Sequence, residues 1–221
     1  MQKLSFEKIK AFLFDMDGVI VDSEKAWEEY EHKILVNLIG EDAYKFKNSL
    51  VGVSMKEVFK ICNLYTKKIS WDEFTQEYDQ TAVKVYSNSK LTSGIEELLE
   101  FLKNKNKKIA LVSASRQNWI DLVVSKFSKN YFDEVISVVD TEGLKDKPAP
   151  DGYLEAIKRL SIKNYEAVIV EDSNSGLMSA KEVNPAQIFA FAEHLVGNYK
   201  QIEVGQKVYN FEELKSYFDF N

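Results

Sequence analysis

Apolar residues along this chain follow two alternating rhythms. Short, nearly continuous apolar runs occur at residues 9–14, 109–112, 135–139, 167–170 and 188–191. Runs this short, bounded by polar and turn-forming residues, predict strands buried on both faces. Between them apolar positions repeat at steps of three and four. Ile95, Leu98, Leu99 and Leu102 form one such stripe, and Trp119, Ile120, Val123 and Phe127 form another within a helix expected over 116–127. Asp151 opens a further helix carrying Leu154 and Ile157. Strands alternating with amphipathic helices imply a parallel sheet, right-handed crossovers and helices on both faces. The expected fold is therefore α/β, a doubly wound, Rossmann-like core.

One block breaks the alternation. From Ser23 to Asn88 the pattern is helical throughout, and nothing there resembles a buried strand. Trp27, Tyr30, Ile34 and Leu38 share one face, and Met55, Val58, Phe59 and Cys62 another. A third helix opens with Ser70-Trp71-Asp72-Glu73, a capping box, and continues through Phe74, Tyr78 and Val85. Residues 23–88 are thus expected to form an all-helical cap domain inserted into a core made of residues 1–22 and 89–221. The joints fall near 21–24, where Asp22 or Ser23 would cap the first helix, and near 88–94. Ser93-Gly94-Ile95-Glu96 has the same capping-box form at the return to the core. Lys103, Lys105, Lys107 and Lys108 load the end of the helix that follows and suit its dipole, as a solvated helix end.

Composition narrows the partners. The 221 residues are 45% hydrophobic and 29% charged, enough for a globular core rather than disorder. A net charge of −6 argues against broad binding of nucleic-acid backbones and against anionic membrane surfaces, while leaving room for a small anionic substrate. The single cysteine, Cys62, excludes an internal disulfide and fits a reducing compartment as a core thiol. No stretch reaches membrane-spanning length, and the first residues lack a signal-peptide apolar region. A cytoplasmic protein is expected, a monomer or weak homodimer with neither nucleic acid nor membrane as partner.

The chemistry gathers where strands end. The first strand runs into Asp15-Met16-Asp17-Gly18, two carboxylates two residues apart. If the strand continued, both would point the same way and repel each other, and a divalent cation would relieve that repulsion. An oxygen-only site suits magnesium. Asp-x-Asp-Gly also suits a plain turn. The second strand ends in Ser113, the fourth in Glu171-Asp172, and Lys147 precedes the Asp151 helix. In a doubly wound sheet these ends share one edge, the edge that binds ligands. Together they can hold a phosphoryl group beside a metal and a carboxylate nucleophile. Arg116 and Asn118, just past Ser113, are placed to meet substrate hydroxyls or to cap their helix. His32 is expected at the surface; His194, after the fifth strand, could approach the site, but a loop histidine is more often incidental.

In this order the motifs resemble the haloacid dehalogenase superfamily, in the branch of β-phosphoglucomutase-like phosphatases. The matching pieces are Asp15-Met16-Asp17-Gly18-Val19-Ile20-Val21-Asp22-Ser23-Glu24, Val112-Ser113-Ala114-Ser115, Lys147-Pro148-Ala149-Pro150-Asp151 and Val170-Glu171-Asp172-Ser173-Asn174-Ser175-Gly176. The resemblance implies that Asp15 is the nucleophile that becomes an aspartyl phosphate. Asp17 would protonate the leaving alkoxide and then activate water. Magnesium would be held by Asp15, Asp172 and the Asp17 carbonyl, with Glu171 as a further ligand or a supporting carboxylate. Ser113 and the Ala114 amide would cradle the phosphate, Lys147 would neutralise it, and Gly176 would let the next helix pack close. The implied activity is a magnesium-dependent phosphatase of a small phosphorylated metabolite, a sugar phosphate foremost.

Two departures bear on the runner-up, a sugar-phosphate mutase. Trp27 stands where mutases carry a histidine that activates the sugar hydroxyl. Met55 follows Gly52-Val53-Ser54 where they carry a phosphate-binding arginine, although Lys56 could replace it. A non-catalytic binding module is the third reading. A further departure is Met178-Ser179-Ala180-Lys181-Glu182-Val183-Asn184-Pro185, where many relatives have an alanine-rich segment ending in Ala-Gly.

Overall fold

The computed structural model describes residues 3–46, 55–65, 69–195 and 199–219. In chain order the strands are β1 (Leu4–Ser5), β2 (Ala11–Phe14), β3 (Val21–Asp22), β4 (Lys90–Leu91), β5 (Lys108–Ser113), β6 (Glu134–Ser137), β7 (Ala167–Glu171), β8 (Gln187–Phe191), β9 (Gln206–Val208) and β10 (Phe218–Asp219). The helices are α1 (Glu24–Ile39), α2 (Met55–Tyr65), α3 (Trp71–Asn88), α4 (Ile95–Asn104), α5 (Gln117–Val124), α6 (Asp151–Arg159), α7 (Asn174–Val183) and α8 (Phe211–Ser216). Among the described residues the central sheet has six strands, all parallel, in the order β6-β5-β2-β7-β8-β9. None of these helices is long and apolar enough to cross a membrane.

Strand alternation divides the core into two layers. Phe12, Phe14, Ile109, Leu111, Val168 and Val170 belong to one packed layer with Leu98 and Leu99 of α4, Ile120 and Val123 of α5 and Phe218 of β10. Ala11, Leu13, Ala110, Val112, Ala167 and Ile169 face Tyr153, Ala156 and Ile157 of α6 and Ala180 and Val183 of α7. The register aligns the strand ends: Phe14 lies opposite Leu111 on one side and Val170 on the other. Asp15 therefore emerges level with Val112 and Glu171, and its amide still bonds the Val170 carbonyl at 3.0 Å. The acids after β2 and β7 meet at one edge because these strands start and stop together.

The helices α1, α2 and α3 occupy the predicted interruption. Both connections to it run side by side, since β3 and β4 pair antiparallel, Val21 opposite Leu91 and Asp22 opposite Lys90. Within the insertion, the capping box at Ser70 forms, with Ser70 accepting from the Glu73 amide and Glu73 from the Ser70 amide. Cys62 is buried, and burial pushes its thiol up to about 11, with the nearby Glu31 carboxylate adding to the effect. Glu31 accepts from the Tyr78 hydroxyl at 3.0 Å. Burial raises Glu31 to about 7 against the opposing pull of that bond.

Several local expectations change. The Ser93 capping box does not form: Gly94, at φ +78°, is the residue before α4 and supplies no side chain, while Glu96 accepts from the Ser128 amide at 3.0 Å. Lys107 is not solvated; its ammonium donates to the carbonyls of Phe6 at 2.8 Å and Ile9 at 2.7 Å. The third strand stops at Ser137, where the chain turns: the Asp140 amide bonds the Ser137 hydroxyl at 3.2 Å and the Thr141 amide bonds the Ser137 carbonyl at 3.1 Å. Three features lie outside the expected elements: the sixth strand β9, the helix α8 and the parallel pair of β1 with β10. The altered end of α7 has a simple account. Asn184 takes the left-handed conformation, φ 56°, that glycine otherwise supplies at a helix C-terminus.

Candidate active site

The first part of the site is ionic and lies wholly in the α/β core. Asp15 follows β2, Glu171 ends β7, Asp172 comes next, and Lys147 reaches in from the loop before α6. The Lys147 ammonium donates to Asp15 Oδ1 and to Glu171 Oε1, the latter at 2.5 Å, with the Val112 carbonyl further off at 3.4 Å. The Tyr153 ring lies 5.1 Å from the same ammonium, and its hydroxyl donates to Glu171 Oε1 at 2.9 Å. Glu171 Oε2 accepts from the amides of Asp172 and Ser173 at 3.0 and 3.1 Å and from the Ser173 hydroxyl at 3.2 Å. Both Glu171 oxygens are thus engaged, and they tie Lys147 and the Asp172 loop to the end of β7. Gly176 matters here for space rather than for φ. A Cβ at that position would come within 1.7 Å of the Glu171 carboxylate.

Charge in this half is unbalanced. Asp15, Glu171 and Asp172 each offer a buried carboxylate oxygen within 4.8 Å of the others, and Lys147 is the ammonium among them. Burial raises Asp15 well above the ordinary carboxylate range; Lys147 opposes this and Glu171 reinforces it. Burial also works against the Lys147 charge, but Asp15 and Glu171 together hold it above an ordinary lysine. An excess of buried anionic oxygen is a donor set fitted to a hard divalent cation such as magnesium. The Asp17 carboxylate does not belong to this group, which corrects the expectation that the Asp15 and Asp17 carboxylates share one cation.

The reason is the turn after β2. The amides of Val19, Ile20 and Val21 converge on the Met16 carbonyl, and Gly18 adopts φ 73°, so extension stops before Asp17. The Asp17 carboxylate turns instead toward neutral donors. Oδ1 accepts from the Ser23 hydroxyl at 2.5 Å and from the Tyr86 hydroxyl at 2.9 Å. Oδ2 accepts from Ser115 at 3.0 Å and from Tyr86 at 3.1 Å. Burial raises Asp17, and the bonds from Ser23, Tyr86 and Ser115 pull the other way. Ser23 thus precedes α1 without capping it, because its hydroxyl is committed to Asp17. Tyr86 comes from α3 and itself accepts from Trp27 Nε1 of α1 at 3.1 Å.

Ser113, at the end of β5, is buried, and its hydroxyl oxygen accepts from the Ser115 amide at 3.0 Å. Ala114 lies between them, partly exposed. Arg116 and Asn118 point to the insertion: both donate to Asp79 of α3, at 2.6 and 3.3 Å, and Trp119 Nε1 donates to the same carboxylate at 2.6 Å. Lys56 of α2 lies 3.4 Å from Asp146, beside Lys147, and Met55 packs partly buried against the core. Gly52, Val53 and Ser54 lie outside the described residues. His32 is not a plain surface residue. Its Nδ1 is buried without a hydrogen-bond partner among the described residues, and its ring meets Tyr44 edge-on at 5.0 Å. His194 sits at the base of the insertion, 3.1 Å from Thr92 Oγ1 and 3.5 Å from Asp22 Oδ1.

Sequence reasoning passed over Tyr86, Tyr153 and Ser115 as parts of the site. Tyr86 and Tyr153 continue apolar helical stripes, so periodicity assigns them to the core. Ser115 stood beside Ser113 in a polar strand end, which was a usable signal.

A family model described as "Haloacid dehalogenase-like hydrolase" matches residues 12–190. A phosphorylated carbohydrates phosphatase of Thermotoga maritima is 27% identical over 200 residues, covering 89% of this chain and 92% of that protein. Hexitol phosphatase B of Escherichia coli O157:H7 is 25% identical over 215 residues, covering 94% and 95%. Among solved structures, a β-phosphoglucomutase from Clostridium difficile superposes with a TM-score of 0.74 at 26% identity, covering 95% of this chain and 96% of that one.

Proposed function

Because this chain belongs to the haloacid dehalogenase-like hydrolases, we propose that it is a magnesium-dependent phosphatase of a small phosphorylated metabolite, a sugar phosphate foremost, working through an aspartyl phosphate on Asp15. The observation that carries this reading is the convergence of Asp15, Lys147, Glu171 and Asp172 at one sheet edge, with Asp17 held apart in a neutral setting. The names of the two phosphatase relatives support the substrate class.

Asp15 attacks phosphorus, an Asp15–phosphorus bond forms, and the bond to the leaving oxygen breaks. Asp17 gives its proton to that oxygen, which departs as an alcohol. Asp17 then takes a proton from water as the water oxygen attacks phosphorus, releasing inorganic phosphate and restoring Asp15. The Ser113 hydroxyl and the Ala114 amide hold phosphoryl oxygens, and Lys147 offsets the charge of phosphate and nucleophile. Asp15, Asp172 and the Asp17 carbonyl would hold magnesium, which when bound neutralises charge on the phosphoryl oxygens. The two aspartates do different work because they sit in different surroundings: Asp15 beside an ammonium and a cation site, Asp17 among hydroxyls.

The mutase reading keeps one specific support, the likeness to a β-phosphoglucomutase. Against it stands Trp27, whose indole N–H only donates, already bonds Tyr86, and cannot act as a base for an acceptor sugar. The deciding experiment measures phosphate release from sugar phosphates, polyol phosphates and nucleotides with and without magnesium, and hexose 1-phosphate isomerisation with a bisphosphate primer. Magnesium-dependent release is expected. Isomerisation without release would establish the mutase, and inactivity toward every substrate would leave the binding-module reading.

A further inference from the structure

We infer that Tyr86, oriented by Trp27, is the positioning residue through which the helical insertion sets the direction of the Asp17 carboxylate. The inference rests on the proposed phosphatase reading and adds to it a residue of the insertion. Asp17 belongs to a core loop, whereas Tyr86 and Trp27 belong to α3 and α1, so the Tyr86–Asp17 contact exists only while the insertion sits over the sheet edge. A phenol has one proton to give. Trp27 Nε1 is a donor only, so at 3.1 Å the Tyr86 oxygen must accept from it. That directs the Tyr86 proton at Asp17, whose two oxygens lie at 2.9 and 3.1 Å. The Ser115 hydroxyl, 3.4 Å from the Tyr86 oxygen, gives its own proton to Asp17.

The relay is rigid. Tyr86 is fully buried. The Trp27 ring packs on Tyr86 at 5.8 Å and on Trp119 of the core at 5.3 Å. Trp119 in turn donates to Asp79 of α3. Ser115 holds Asp17 from the core, Ser23 holds it from the joint just before α1, and Tyr86 bonds both of its oxygens from α3, fixing the plane of the carboxylate. When the insertion moves away, Asp17 keeps its two serines and loses the group that spans them. Proton transfer from Asp17 is then geometrically favoured only with substrate covered.

The test uses leaving-group dependence. A general acid matters for an alkyl phosphate, whose alkoxide must be protonated, and hardly for p-nitrophenyl phosphate. The quantity to compare is kcat/KM, which ends at departure of the leaving group and so excludes the later use of Asp17 on water. Glycerol 3-phosphate and p-nitrophenyl phosphate serve as probes with wild type, Tyr86→Phe, Trp27→Phe and Asp17→Asn, each checked for folding by circular dichroism and thermal melting. Tyr86→Phe should lower kcat/KM for glycerol 3-phosphate about 10- to 100-fold and for p-nitrophenyl phosphate less than about 3-fold. Trp27→Phe, which keeps the ring and removes the N–H, should do the same to a smaller degree, and it carries the test alone if Tyr86→Phe fails to fold. Equal losses on both substrates, or no loss on the alkyl phosphate, overturn the inference while a selective loss in Asp17→Asn leaves the functional reading standing. An Asp17→Asn protein with no selective loss removes Asp17 as the acid, and this inference with it.

Discussion

Two aspartates separated by a single residue have opposite surroundings. Asp15 is bonded by the Lys147 ammonium and faced by the carboxylates of Glu171 and Asp172, all from the core, and this neighbourhood would be complete without the insertion. Asp17 is bound by hydroxyls, and the one that spans both its oxygens comes from α3. Charge is organised at the sheet edge, by Asp15 just after β2, Glu171 and Asp172 at the end of β7 and Lys147 in the loop before α6. On the proposed reading, the orientation of Asp17, the proton carrier, rests on a contact from the insertion. The difference suggests a division of labour: the core makes phosphoryl transfer possible, and the insertion decides when it is efficient.

The sharpest way to break that comparison is Asp15→Asn. Loss of the nucleophile should reduce phosphate release on the order of 10⁴-fold with the circular dichroism spectrum unchanged. Substantial residual magnesium-dependent hydrolysis would remove Asp15 from its role. Lys147→Met comes next. It leaves Asp15 and Glu171 without their ammonium and should cost about 3–5 kcal/mol of stability in urea unfolding. A near-neutral result would mean that the ionic half does not depend on its internal cation.

Glu31 tests the insertion rather than the core. Its carboxyl is raised from 4.5 to about 7 in the folded chain, so the folded state holds a proton that the unfolded state releases. The stability associated with that proton is fully present below pH 4.5 and is lost as pH rises through 7. The change amounts to at most about 3 kcal/mol, less as the partly exposed side chain reaches water. Glu31→Gln should flatten that part of the stability–pH curve, and an unchanged slope would assign it to other groups. The smallest effect is expected from Asp79→Asn, which weakens the half-exposed bonds from Arg116, Asn118 and Trp119. A stability change of about 0.5–1 kcal/mol, with a raised KM and little change in kcat, would show the insertion opening more readily. A large loss of kcat would instead tie Asp79 to the chemistry.

The strands were legible because β2, β5, β7 and β8 carry short apolar runs that are buried once folded, apart from the half-buried Ile188, and the ends of β2, β5 and β7 could be read from the first polar residue. The three-residue β9 was not, since Gln206-Lys207-Val208 carries one apolar side chain and pairs only as an edge strand. Ser23 read as a helix cap, and it does precede α1, but its hydroxyl is claimed by Asp17 six residues earlier in the chain. Arg116 and Asn118 read as groups that meet substrate hydroxyls or cap their helix, and a sequence does not reveal that Asp79 of α3 will lie against them.

What the amino-acid order determined by itself is whatever depends on near neighbours: buried strands from apolar runs, the turn at Gly18, the capping box at Ser70, and the succession of four motifs that marks the family. What only the tertiary structure decided is which acid meets which partner. Lys147 lies 132 residues from Asp15, and Tyr86 lies 69 from Asp17. Contacts over such distances are selected by the register of the sheet and by the seat of the insertion upon it. Those are properties of packing, in which a tyrosine on an apolar stripe looks like core until the fold brings its hydroxyl to a carboxylate.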